Sequence, residues 1–142
     1  GVRVICSFPS DIYKLAESLM AQDDIRVYKV KDYIANPKPN GYRSLHLVVS
    51  VPVFFASHKT DMTVEVQIRT IAMNFWASLE HEMKYKRAIS EGDDVSTQLK
   101  SCAETIADVE SKMLSIRKSI DEKYMPTETE LLLKKLQGNP MA

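Results

Sequence analysis

The sequence predicts an α+β domain, a mixed β-sheet of at least four strands flanked by helices and followed by a long C-terminal helix. Three observations predict it. Four runs alternate in character with a period of two, the first of them leads straight into a helical pattern, and residues from about Val95 to Tyr124 carry apolar side chains at steps of three and four.

Each element has its own signature. "VRVICSF" sets Val2, Val4, Cys6 and Phe8 against Arg3, Ile5 and Ser7, the alternation of a strand. "PSDIYKLAESLM" then spaces Ile12, Leu15 and Leu19 helically, with Ser10 as the expected N-cap. "IRVYKVKDYI", residues 25–34, is β-branched and aromatic, and the Pro and Gly cluster at 37–41 ends it. "SLHLVVSVPV" puts Leu45, Leu47, Val49 and Val51 on one face and Ser44, His46, Val48 and Ser50 on the other. In "TVEVQIRT", Val64, Val66 and Ile68 oppose a polar row of Glu65, Gln67 and Arg69. Such a row either meets solvent or floors a site, and alternation by itself favours solvent, because most antiparallel sheets turn one face to water.

The helix "AMNFWASLEHEMKYK" follows at once, and after "SEGDD" the long helix runs to Tyr124, stopped by Pro126. Its positions Leu99, Cys102, Ile106, Val109, Met113, Ile116 and Ile120 form a heptad-type seam. The expected organisation is a catalytic core over 1–90, the long helix over 91–126 as an oligomerisation element, and a tail over 127–142 that is flexible and partly helical at best.

Composition narrows the function classes. A chain of 142 residues can bury a core without disulfides or a structural metal. Lys plus Arg equal Asp plus Glu at 19 each, so no global positive field draws nucleic acid or an anionic membrane, and any phosphate chemistry must come from local clusters. Cys6 and Cys102 have no metal-ligand spacing and are expected to be reduced, buried packing residues. The longest apolar run, "HLVVSVPVFFA", is too short to span a bilayer, and no signal peptide is present, so a cytoplasmic protein is expected. The opening "GVRVICSF" lacks an initiator Met and already lies in a strand pattern, as expected of a piece of a longer chain.

"NPKPNGYRSLH", residues 36–46, holds more than a connector needs. Singly, its residues have plain explanations: Tyr42 as a half-buried anchor, His46 as a hydrogen-bonded sheet residue, and Asn74 further on as near-cap chemistry. Together they are the parts of a nucleotide site: an aromatic face for a base, an amide for its edge, basic groups for phosphates and a carboxylate for metal or proton chemistry.

The order "YIANPKPNGYRSLH", "VEVQIRT" and "MNFWASLEHEMKYK" resembles the synthetase domain of the RelA/SpoT-homologue family, which makes the alarmones ppGpp and pppGpp, and is most similar to its small alarmone synthetases. The resemblance covers residues 1 to about 87 and implies a nucleotidyltransferase-like fold. It implies transfer of pyrophosphate from ATP to the 3′-hydroxyl of GTP or GDP, with Mg²⁺ as cofactor and a homotetramer as assembly. Under it Tyr42 stacks on guanine and Asn74 reads its edge. Lys38 and His46 contact acceptor phosphates, Arg43 and Lys29 being weaker candidates. Glu65 ligates the metal and serves the attacking hydroxyl, Gln67 supports the acceptor site, and Arg3 packs against adenine. The family's second metal carboxylate lies just before the glycine that opens this chain, and its basic residues for the ATP phosphates lie further upstream. The segment alone is therefore expected to be inactive. Two other readings stay open: a guanine-nucleotide-binding regulatory module without chemistry, and a nucleotidyltransferase, which would call for an Asp-x-Asp or Asp-x-Glu pair on a strand.

Overall fold

A computed structural model describes residues 1–86, 94–124 and 128–138. Its elements run β1 (Val2–Cys6), α1 (Pro9–Met20), β2 (Arg26–Asp32), β3 (Leu45–Phe54), β4 (Lys59–Thr70), α2 (Ile71–Lys86), α3 (Asp94–Tyr124) and α4 (Glu128–Gln137). The four strands form one mixed sheet in the order β1-β4-β3-β2, with β1 parallel to β4 and the other two pairings antiparallel. This is the α+β architecture expected.

Alternation decides which face is covered. Leu45, Leu47, Val49, Val66 and Ile68 point to one side and are buried there with Ile12 and Ala16 of α1, and with Met73. α1 presents Ile12, Ala16 and Leu19 rather than the expected Ile12, Leu15 and Leu19, and Leu15 remains partly exposed. Its start also differs from expectation. Pro9 opens the helix, where a missing N–H costs nothing, Phe8 takes the cap position, and the Phe8 N–H donates to Asp11 Oδ2 at 3.1 Å, so Ser10 falls inside the first turn.

The opposite face carries the polar side chains. Register places Arg3, Gln67, His46 and Lys31 side by side across all four strands, with Glu65, Val48 and Lys29 in the next row. Thr70 ends β4 and caps α2 by accepting the Met73 N–H at 3.1 Å. Its hydroxyl donates to the buried Glu110 carboxylate of α3.

A second core joins α2 to the first part of α3. Trp76, Ala77, Leu99 and Ala103 are buried together, and Trp76 Nε1 donates to the Leu99 carbonyl at 2.9 Å. The chain divides into two compact units, Gly1–Glu110 and Ser111–Ala142, so the division falls inside α3 rather than at residue 90. The seam is correspondingly uneven. Leu99 is buried and Ile106 half-buried, whereas Val109, Met113, Ile116 and Ile120 are half-exposed or more. Cys102, expected to be buried, is exposed, and Cys6 is half-buried; both are free thiols. Within the expected flexible tail the structure forms α4. Pro126, the expected helix stop, and most of the "SEGDD" turn lie outside the described residues. No described helix is long and apolar enough to cross a membrane.

Candidate active site

The loop before β3 is built by local chemistry. Lys38, Pro39, Asn40 and Gly41 make a turn in which the Gly41 N–H donates to the Lys38 carbonyl at 2.8 Å, with Pro at the second position and Gly at the fourth. Asn40 Oδ1 accepts the Tyr42 N–H at 3.0 Å, and the Lys38 N–H closes back on the Tyr42 carbonyl at 3.1 Å. Gly41 sits at φ +96°, and a Cβ there would lie 2.6 Å from Ala103 Cβ, so only glycine lets the loop seat on α3. At the other end Asp32 Oδ1 takes the N–H groups of Ile34 and Ala35, and Oδ2 accepts the Tyr13 hydroxyl at 2.7 Å.

These constraints deliver Tyr42 to the polar face of the sheet. Its ring meets those of Tyr33, His46 and Trp76 edge-on, with centroids 6.1, 5.9 and 6.3 Å away. Lys38 Nζ lies 5.0 Å from the Tyr42 centroid and 4.9 Å from that of Tyr33. The Tyr42 hydroxyl is 2.9 Å from His46 Nε2 and accepts from Arg69 Nη2, also at 2.9 Å. Arg69 further donates to Gln67 Oε1 at 3.0 Å and to Asn74 Oδ1 at 3.4 Å. Gln67 Nε2 donates to Glu65 Oε1 at 3.1 Å, and His46 Nδ1 lies 3.6 Å from that same oxygen. Burial pulls the His46 pKa down and outweighs the opposing pull of Glu65, while Arg69, Lys38 and Lys31 push the same way as burial. At neutral pH the contact with Glu65 is therefore that of a neutral ring with a carboxylate.

The polar row of β4 is thus graded: Glu65 exposed, Gln67 half-buried and Arg69 buried. Beside it opens a cleft of about 400 Å³ lined by Arg3, Tyr42, Arg69, Ser78, Glu80 and His81. Tyr42, Lys38, His46, Glu65, Gln67 and Asn74 come together in one network or contact set. Arg3 lines the cleft beside Tyr42, and Lys29 is an exposed residue on the same sheet face. Arg43 goes elsewhere. One residue on from Tyr42, it turns to the other side of the loop, where it lines a separate cavity with Gly41, Lys100, Ala103 and Glu104. Burial lowers its pKa there, opposed by Glu110. Sequence reasoning placed Arg69 in the polar row but assigned it no part in the site; the period-two pattern of "EVQIRT" was the available signal. Tyr33 and Lys31 had no such signal, since only cross-strand register sets them beside His46.

For a hard cation, the donor set is partial. Glu65 presents an exposed carboxylate whose Oε2 takes no hydrogen bond among the described residues, which suits a magnesium ligand. Those residues contain no group of three or more His, Cys, Asp or Glu side chains able to hold a metal. Glu65 fits as one ligand of a shell completed from outside this set.

An open, polar sheet face with a carboxylate, an aromatic platform and basic groups defines a nucleotide-handling α+β domain. The family model for the region found in RelA/SpoT proteins matches residues 1–90, and the chain belongs to that family. It is 50% identical over 121 residues to the GTP pyrophosphokinase YwaC of Bacillus subtilis, covering 85% of this chain and 58% of that protein. Its fold is similar to that of the Bacillus subtilis small alarmone synthetase 2, with a TM-score of 0.77 and 49% identity over 82% of this chain and 64% of that one. It is also similar to small alarmone synthetase 1 from the same organism bound to its product pppGpp, with a TM-score of 0.76 and 40% identity over 83% and 61%. The chain spans somewhat under two thirds of the length of these relatives.

Proposed function

We propose that this chain is the acceptor-side portion of a (p)ppGpp synthetase, an ATP:GTP 3′-pyrophosphotransferase acting on ATP and GTP or GDP. The observation that carries this reading is the convergence of Tyr42, His46, Gln67 and Asn74 on one side of Glu65. Its support from outside the chain is the match to GTP pyrophosphokinases over most of its length.

In this reading the guanine of the acceptor lies on Tyr42 and displaces the exposed Lys38, which then reaches the acceptor phosphates. Asn74 reads the base edge, and Arg3 faces the adenine from the other side of the cleft. The 3′-oxygen attacks the β-phosphorus, the bond from that phosphorus to the oxygen bridging it to the α-phosphate breaks, and AMP leaves. Glu65 orients the hydroxyl and takes its proton. Basic side chains offset the charge that builds on the phosphoryl oxygens, so alignment and electrostatics carry the rate. Mg²⁺, when bound at Glu65, supplies further charge stabilisation. The parallel pairing of Val2 with Val66 sets the start of β1 beside Glu65, which supports a second carboxylate entering from upstream of β1. Arg43 and Lys29 have weaker claims: Arg43 faces away, and Lys29 stands at the rim. A cytoplasmic homotetramer assembled through the exposed part of the α3 seam completes the proposal.

Glu65→Gln tests it. The substitution keeps size and removes charge, so acceptor binding should stay within a few fold, while turnover of labelled ATP in the full-length protein falls by at least the roughly 10²- to 10⁴-fold worth of a general base. Unchanged turnover would sink the assignment.

A further inference from the structure

The hydrogen bonds around Arg69 all run one way. A guanidinium can only donate, and Arg69 is 6% exposed, with Nη2 donating to the Tyr42 hydroxyl and to Gln67 Oε1 and Nη1 donating to Asn74 Oδ1. Each acceptor hands this direction on. Because the Tyr42 oxygen receives from Arg69, its single proton goes to His46 Nε2, 2.9 Å away. Nε2 is then the accepting nitrogen, and a neutral ring keeps its proton on Nδ1, the atom facing Glu65 Oε1. Gln67, with its oxygen occupied, turns its amide nitrogen to that same oxygen. Two chains of different length therefore begin at one guanidinium and end on one carboxylate oxygen.

We propose that Arg69 is a positioning residue that sets the donor direction of the whole acceptor site, holding Glu65 by Oε1 so that Oε2 stays free, and turning the Asn74 NH₂ away from the network towards a base. An amide held this way offers donors, which suits the O6 and N7 acceptors of guanine and is mismatched with the adenine amino group at position 6. Arg69 Nε, buried and without an acceptor among the described residues, is the one donor of this guanidinium that the network leaves unused. The consequence for Glu65 rests on the function proposed above; the proton direction itself does not.

The test reads the histidine tautomer. In protein labelled with ¹⁵N-histidine, two-bond ¹H–¹⁵N correlation spectra above the histidine titration range should show His46 as the Nδ1–H tautomer, with its signal identified by His46→Gln. Arg69→Met, similar in length and without donors, should move His46 towards Nε2–H and leave His58 and His81 unchanged. In the full-length protein it should lower kcat about 10- to 100-fold, the usual cost of losing an outer partner, with KM for ATP within threefold. If Arg69→Met does not fold, Tyr42→Phe cuts the same chain one link later and should shift the tautomer likewise. Nε2–H in the wild type, or Nδ1–H retained in whichever of these variants folds, would overturn the proposal. An active Glu65→Gln enzyme with the expected tautomers would instead refute the function and leave the direction of the network standing.

Discussion

Gly41→Ala probes how the acceptor loop is held on α3. At φ +96° an L-residue costs about 1–2 kcal/mol through its Cβ. The new methyl would also lie 2.6 Å from Ala103 Cβ and 3.1 Å from Lys100 Cα, against an ordinary carbon contact of about 3.5–4.0 Å. Neither neighbour is the far end of a flexible side chain, so loop and helix must separate by roughly 1 Å, an overpacking cost of about 1–3 kcal/mol. Together these make a loss of about 2–5 kcal/mol if the loop keeps its seat, which is a large share of the 5–15 kcal/mol typical of a domain. If the loop lifts instead, the loss appears as weakened acceptor binding, because Lys38 and Tyr42 move with it. Urea unfolding and calorimetry with GTP separate the two. Adding Ala103→Gly should return the steric part, less about 1 kcal/mol for glycine in a helix, and leave the φ cost in place. A Gly41→Ala protein within about 0.5 kcal/mol of wild type, the range of an ordinary surface change, and with unaltered GTP affinity would refute this account of the loop.

Tyr42→Ala should weaken GTP binding far more than ATP binding, by roughly 5- to 100-fold for the loss of about 1–3 kcal/mol of stacking, whereas equal losses in calorimetry would make Tyr42 a structural anchor. Met113→Glu with Ile116→Glu places charges on positions more than half exposed in the single chain, so circular dichroism should be retained while light scattering reports a smaller species; a wild type that sediments as a monomer at micromolar concentration refutes the interface. Burial pushes the Asp32 pKa up, but hydrogen bonds from the Ala35 N–H, the Tyr13 hydroxyl and the Ile34 N–H outweigh it and hold the pKa below 3.8. Asp32 thus contributes stability that is present above its unfolded pKa and lost as pH falls through the folded one, so Asp32→Asn should flatten the acid limb of a Tm–pH curve. The Tyr13 hydroxyl, pushed up to about 12 by burial and Asp32, stays protonated throughout that range.

Local pattern was enough to read the strands, because a period of two and a covered face leave one register of burial for Leu45, Leu47, Val49, Val66 and Ile68. It was enough for α2 and α3 as well. It failed at Leu15 and Cys102, where apolar spacing is broader than the strip of helix that the rest of the unit covers. It failed at Ser10, because Pro9 had already started the helix. For the candidate site, motif spelling named Tyr42, Lys38, His46, Glu65, Gln67 and Asn74, and the structure gathers all six. The same spelling included Arg43, which a single-residue step in an irregular loop sends to the opposite side.

The sequence by itself determined that one sheet face would be apolar and the other polar, that a turn would fall at Pro39-Asn40-Gly41, and that the residues of a nucleotide site were present in family order. Those are properties of near neighbours along the chain, where two residues on means the same face and a proline fixes its own φ. Only the tertiary structure decided that the polar row of β4 floors a cleft instead of meeting water along its length, that Arg69 is its buried hub, and that Gly41 faces Ala103. Each of these depends on residues 27 to 62 positions apart meeting through strand register and helix packing. Hydrogen-bond direction depends on the same geometry, because which partner donates is settled only when the guanidinium, the phenol and the imidazole stand within 3 Å of one another in turn.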